Sequence, residues 1–175
     1  MKTPYRISPT PTNIQFTNIA VGSTKFFVKT NYTFEISTVN SDDIHINADS
    51  RMGVLILFPD EYKAIWETID QPNRVYVTFG SDTYSDKPEM INGSMIVKFR
   101  VTQEVFFSAI TILFEFRNPK VALNCDVLPV FTISILDFKL NAIRAESLSN
   151  NIECPEFKDR LYGINITGNI KIQAG

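Results

Sequence analysis

The stretch Ile110-Thr111-Ile112-Leu113-Phe114-Glu115-Phe116-Arg117 decides the fold class. Ile110, Ile112, Phe114 and Phe116 recur at every second position, against Thr111, Leu113, Glu115 and Arg117. A pleated strand sends successive side chains to opposite faces, so this segment buries one face and leaves the other to solvent. Met95-Ile96-Val97-Lys98-Phe99-Arg100-Val101 repeats the pattern, as do Tyr32-Thr33-Phe34-Glu35-Ile36 and Phe131-Thr132-Ile133-Ser134-Ile135. Val54-Leu55-Ile56-Leu57-Phe58 is a continuous apolar run stopped by Pro59, the pattern of a strand buried on both faces. Segments 13–19, 25–29 and 75–79 are further strands, and Ile166, Ile170 and Ile172 keep even spacing near the C-terminus.

Helix is scarce. Over residues 60–69, Tyr62, Ile65, Trp66 and Ile69 fall on one helical face, with Pro59, Asp60 and Glu61 at the start. Trp66 is expected to cap one end of the core. Residues 142–148 are a weaker helix candidate. Many short strands with little helix predict an all-β antiparallel sandwich, Ig-like or jelly-roll. No composition break suggests a second domain: residues 13–175 read as one sandwich and residues 1–12 as an extended arm. The arm carries Pro4, Pro9 and Pro11, which fix φ and bias the preceding residues away from helix.

The chain has 175 residues, 44% hydrophobic and 12% aromatic, enough for an ordinary core. A net charge of -2 offers no basic face for nucleic acid. No apolar run approaches the roughly 18 residues of a membrane span. No apolar core follows Lys2 and Arg6, so the start is not a secretory signal peptide: either the protein is cytosolic or a signal has been removed.

The residues that could carry chemistry point away from catalysis. His45 is the single histidine, and Asp43, His45, Asn47 and Asp49 alternate as if on one strand face. Their spacing matches no EF-hand, and a solvated strand edge is expected rather than a metal site. The acidic pairs Asp42/Asp43 and Asp60/Glu61 read as surface. No nucleophile elbow or phosphate-cradling glycine loop occurs, so neither an enzyme nor a cofactor is expected.

Cys125 and Cys154 both fall in polar loops, where a bridge is expected if the compartment is oxidising. It would close a loop of about 30 residues and contribute roughly 3–4 kcal/mol. Three sequons, at Asn31, Asn92 and Asn165, are close to what 14 Asn and 27 Ser plus Thr supply by composition. Their placement outside apolar strand positions makes each a solvent-facing N-glycan acceptor in a eukaryotic secreted protein.

Three segments carry a family resemblance. Asn31-Tyr32-Thr33-Phe34-Glu35-Ile36-Ser37-Thr38 resembles the opening of an Ig-like β-sandwich repeat found in very large surface proteins of ciliates and related protists. Val54-Leu55-Ile56-Leu57-Phe58-Pro59-Asp60-Glu61-Tyr62 is similar to that repeat's apolar strand and Phe-Pro element. Ile110 through Pro119, followed by Phe131–Ile135, resembles its strand, Asn-Pro turn and next strand. The family stands in cysteine-rich tandem arrays, whereas this chain is one unit with two cysteines and an added arm. The resemblance implies an extracellular, glycosylated structural module without catalytic residues.

The expected function is therefore a structural subunit of an extracellular coat or filament, joined head to tail by its arm. Ile7, Ile14, Phe16 and Ile19 are the apolar arm residues expected against a neighbouring copy. Ile14 and Phe16 share strand parity, while Ile7 and Ile19 need a reset by bends at Pro9 or Pro11. One alternative is a module binding carbohydrate or protein, with Tyr5, Tyr62, Tyr76 or Tyr84 as exposed stacking surfaces. A second is a jelly-roll capsid subunit.

Overall fold

In the computed structural model, which describes residues 14–38, 44–66, 72–91, 93–126, 131–137, 144–147 and 154–157, short strands follow one another along the chain. They are β1 (Ile14–Val21), β2 (Lys29–Thr38), β3 (Ile44–Ile46), β4 (Arg51–Leu57), β5 (Val75–Phe79) and β6 (Asp82–Asp86). After them come β7 (Glu89–Ile91), β8 (Ser94–Arg100), β9 (Val105–Phe107), β10 (Ala109–Arg117), β11 (Thr132–Asp137) and β12 (Arg144–Ser147). A 3-10 turn at Asp60–Tyr62 runs into α1 (Lys63–Trp66).

Two five-stranded antiparallel sheets form the sandwich, in the orders β1-β2-β10-β5-β6 and β12-β11-β4-β8-β7, with β3 and β9 as a separate pair. The period-two positions meet in the middle. Tyr32, Phe34 and Ile36, Ile110 through Phe116 at alternate positions, and Val75, Val77 and Phe79 face Met52, Val54, Ile56, Met95, Val97, Ile133 and Ile135. Rings fill much of the space. Phe114 stacks on Tyr32 at 5.6 Å and on Phe34 at 5.7 Å, while Phe131 meets Phe34 edge-on at 5.5 Å. At the β6 side, Tyr84 stacks on Phe99 of β8 at 5.4 Å and closes the gap between the sheets.

Several expectations need correction. Residues 25–29 do not form a strand. Lys25 makes an isolated bridge, Phe26 and Phe27 turn, and Phe27 has φ 60, so the ladder starts only at Lys29. Residues 144–147, inside the expected helix 142–148, are strand β12, where Arg144–Ser147 pairs with β11 and satisfies an otherwise open edge. The run 54–58 is not buried on both faces: Leu57 is 47% exposed, because β4 lies mid-sheet with only its inner face in the core. Asp43 lies outside the described residues, and Asn47 and Asp49 do not extend the β3 face. Asn47 O accepts Ser50 Oγ at 2.7 Å in a turn where Asp49 has φ 64, and Asp49 pairs with Arg100 at 3.0 Å.

The largest correction concerns the arm. Ile14, Phe16 and Ile19 belong to β1, which pairs with β2 of the same chain: Ile14 opposite Thr38, Phe16 opposite Ile36, Ile19 opposite Phe34. The parity reset occurs inside the strand, since the register shifts between Phe16 and Asn18 and leaves Thr17 as a bulge. That one extra residue turns Ile19 inward, where it is buried in this chain's own core. Ile7 lies outside the described residues, as do Ile69, Ile166, Ile170 and Ile172.

Candidate functional site

The two ends of the sandwich differ. β2 starts and β10 finishes at one end, next to Asn118; β2 finishes and β10 starts at the other, next to Thr38. The Asn118 end gathers the chemistry.

Tyr32, the first buried residue of β2, extends its hydroxyl between the sheets toward this end. Asn118 follows β10 directly and is fully buried. Its Nδ2 donates to Ser23 O and Lys25 O, each at 2.7 Å, so its Oδ1 is the acceptor for Tyr32 OH at 2.7 Å. Tyr32 has one hydroxyl proton and gives it to Asn118; Tyr62 OH, 2.8 Å away, therefore donates to Tyr32. The backbone joins in: Asn118 N donates to Val28 O, and Phe27 N donates to Pro119 O. A buried amide thus fastens loop 23–28 to the end of β10.

Burial pushes the hydroxyls of both Tyr32 and Tyr62 well above the ordinary value of 10, because a phenolate there loses its water. For Tyr62 the neighbouring Tyr32 and Glu61 push the same way. Above pH 10 the unfolded chain gives up these protons and the native chain keeps them. The stability they lend is complete below pH 10 and declines as pH rises beyond it. Urea midpoints should hold to about pH 9.5 and fall steeply by pH 11. Tyr62→Phe should lose about 1 kcal/mol at pH 7 and show a shallower alkaline decline.

The hydrogen-bonded loop presents Phe27. Its side chain is 41% exposed on a left-handed backbone. The Arg117 guanidinium carbon lies 4.7 Å from its ring centroid and Lys120 Nζ lies 4.8 Å away. Arg117 NH1 also donates to Phe27 O at 2.8 Å. A bulky residue at positive φ costs of order 1–3 kcal/mol, and the surrounding bonds hold it there. Sequence reasoning missed both Phe27 and Asn118. The Asn-Pro pair signalled a turn, but nothing in the spacing signalled a buried amide.

Beside the tyrosine pair opens a cleft of about 250 Å³, lined by Leu57, Phe58, Pro59, Asp60, Tyr62, Lys63, Trp66 and Gly93. Phe58 and Trp66 are buried and form its aromatic floor, their rings 5.2 Å apart. Trp66 thus sits at one end of the core, as expected. Gly93, at φ 84, makes the β7–β8 turn at the rim, a conformation that its lack of Cβ permits.

Cys125 and Cys154 are joined by a disulfide, with Cα atoms 5.8 Å apart. It ties the exposed loop after Asn118 to segment 154–157, whose Phe157 is buried in the core. In the same loop Glu61 accepts from Asn124 N at 2.8 Å, so one carboxylate of the Asp60/Glu61 pair has a structural partner. Asn31 is exposed on β2, opposite Glu115. Asn92 and Asn165 lie outside the described residues. Of the tyrosines expected to stack on ligands, Tyr76 is 43% exposed, Tyr84 packs on Phe99, and Tyr62 is fully buried and serves the hydrogen-bond chain instead. Tyr5 lies outside the described residues. Among the described residues no helix is long and apolar enough to cross a membrane, and no group of three His, Cys, Asp or Glu side chains is placed to hold a metal ion.

No protein-family model and no curated protein matches the chain. Among solved structures, AvmM, described as catalysing macrocyclization in alchivemycin A biosynthesis, is similar over 79% of this chain and 90% of that chain. Identity is 10% and the TM-score 0.33, a level that carries no argument about activity.

Proposed function

We propose that the chain is a structural subunit of an extracellular coat or filament, glycosylated and joined head to tail through its N-terminal arm. The observation that supports this best is where the arm attaches. β1 is an edge strand, and it begins at the Thr38 end, opposite the cleft and the Asn118 network. Ile14, the first described residue, therefore lies at the rim of the sandwich, at the end opposite those features. A junction between one copy's arm and a different surface on the next is heterologous, and it propagates when the rotation does not close. The Cys125–Cys154 bridge is weakly compatible with an oxidising, extracellular compartment. This reading assigns the chain no catalytic role.

Deleting residues 1–12 should give a folded monomer by size-exclusion chromatography, where the full chain gives fibres in negative-stain images. Closed shells from the full chain would favour the capsid reading, and unchanged fibres after deletion would remove the arm from assembly. Native protein should also run heavier than 19.9 kDa and return toward that mass on N-glycan removal, with Asn31 as an occupied acceptor. An unmodified mass with free thiols at Cys125 and Cys154 would sink the extracellular reading.

The Phe27 ledge favours a second reading, a recognition module for acidic carbohydrate. The exposed Phe27 ring offers an apolar contact to a sugar, and Arg117 and Lys120 beside it would meet the sugar's acid groups. Retention on heparin that Phe27→Ala abolishes would support it; no retention would dismiss it.

A further inference from the structure

The cleft at the Asn118 end matches the arm in size, chemistry and position. At about 250 Å³ it falls below the usual range for drug-sized ligands and suits one or two side chains. Its floor is aromatic, and Pro59 and a 47% exposed Leu57 stand at its lip. Grooves of this kind take extended proline-containing segments, which enter with little ordering cost. Residues 1–13 supply such a segment: Pro4-Tyr5-Arg6-Ile7 offers two large apolar side chains around a cation, and the segment contains Lys2 and Arg6 with no acid. Asp60 and Lys63 are both exposed in the lining, so the rim carries one charge of each sign, and Asp60 is the group that can meet Arg6.

Geometry argues for a neighbour's cleft. The arm leaves from the Thr38 end and the cleft lies at the Asn118 end of the same sandwich. The ten residues of β2 span about 33 Å between those ends. Thirteen residues reach about 45 Å at full extension, so a chain docking on itself would have to double back along its whole length. In a head-to-tail stack the Thr38 end, where β1 begins, faces the next copy's Asn118 end. The β1 edge is a poor alternative acceptor, because the Thr17 bulge breaks the row of backbone groups that a second strand would need.

Resting on the head-to-tail reading, we propose that the Leu57–Phe58–Pro59–Trp66 cleft is the acceptor for Tyr5 and Ile7 of the next subunit's arm.

The test uses full-length chains. Leu57→Asp damages the acceptor at an exposed position, and Ile7→Asp damages the donor. Each alone should weaken the junction roughly 10- to 100-fold and abolish fibres at concentrations where the parent polymerises. Mixed, the two should form capped one-to-one dimers, since one variant keeps its arm and the other its cleft. Trp66, the single tryptophan, should shift its emission on mixing and confirms folding of each variant alone. If Ile7→Asp stops assembly but Leu57→Asp and a second variant, Leu57→Ser, polymerise like the parent, the cleft is not the acceptor and the head-to-tail reading stands. If all three polymerise unchanged, the arm reading itself fails. A concentration-independent change in Trp66 emission of monomeric parent on Ile7→Asp would place the arm in its own cleft and overturn the proposal.

Discussion

Asn118→Ala should lower stability by about 2–4 kcal/mol, a fall in Tm of roughly 5–15 °C for a chain of this size. The substitution removes the acceptor of Tyr32 OH and the donor to Ser23 O and Lys25 O. The Tyr32 hydroxyl is then left in the core without its acceptor, and a stranded buried donor costs more than an average hydrogen bond contributes. Asn118→Asp should be worse than alanine at pH 7. A carboxylate there would meet two carbonyl oxygens that can only accept, and burial would drive its pKa up. Its deficit should therefore shrink as the pH is lowered and the group takes a proton. Loop 23–28 loses its side-chain anchor in both variants, so amide exchange in that loop should accelerate ahead of exchange in β2 and β10. Equal stability of Asn118→Ala and the parent in urea would show the network to be energetically idle.

That residue marks the boundary of what the sequence makes legible. Strand positions follow from period-two alternation because burial of one face is a local property: β5, β8 and β10 lie within a residue of where alternation places them. The cleft was half legible, since the 60–69 periodicity puts Tyr62, Ile65 and Trp66 on one face and the turn and α1 bury all three. What alternation cannot express is an insertion. Thr17 shifts the parity of β1, so Ile19, which strict alternation from Phe16 would turn outward, pairs with Phe34 and is buried in the core. Edge strands are equally quiet. β6 contains a single large apolar residue, Tyr84, and is recruited by the two-residue turn Gly80-Ser81, where Gly80 has φ 57. The Asn118 network depends on groups 30 and 86 residues apart in sequence, a separation at which no local pattern leaves a trace.

Phe114→Ala should have the largest effect of any single core substitution, about 3–5 kcal/mol. Phe114 sits where the aromatic column crosses the interior, with its ring centroid within 5.6–6.4 Å of those of Tyr32, Phe34, Phe58 and Phe116. Those neighbours hang from β2, β4's end and β10 itself, so none can move into the void without giving up its own packing. Collapse is thereby restricted, and the cost of a cavity rises with the volume left unfilled. The urea midpoint should fall with the m-value unchanged, since the surface exposed on unfolding is nearly the same. Phe114→Leu keeps most of the volume and should cost less than half as much. Leu113→Ala, one residue earlier and 37% exposed on the outer face, should change stability by about 0.5 kcal/mol or less. The contrast between adjacent positions tests the alternation directly: if Leu113→Ala proves as costly as Phe114→Ala, the outer face of β10 is covered in solution and the inward register assigned to this strand is wrong. Because Phe58 and Phe116 also pack against Trp66, at 5.2 and 5.9 Å, loosening the column at Phe114 should weaken the cleft floor too. On the proposed head-to-tail assembly, a mildly destabilised Phe114→Leu chain should polymerise less readily than the parent at temperatures where both remain folded; equal assembly of the two would separate the core from the proposed junction.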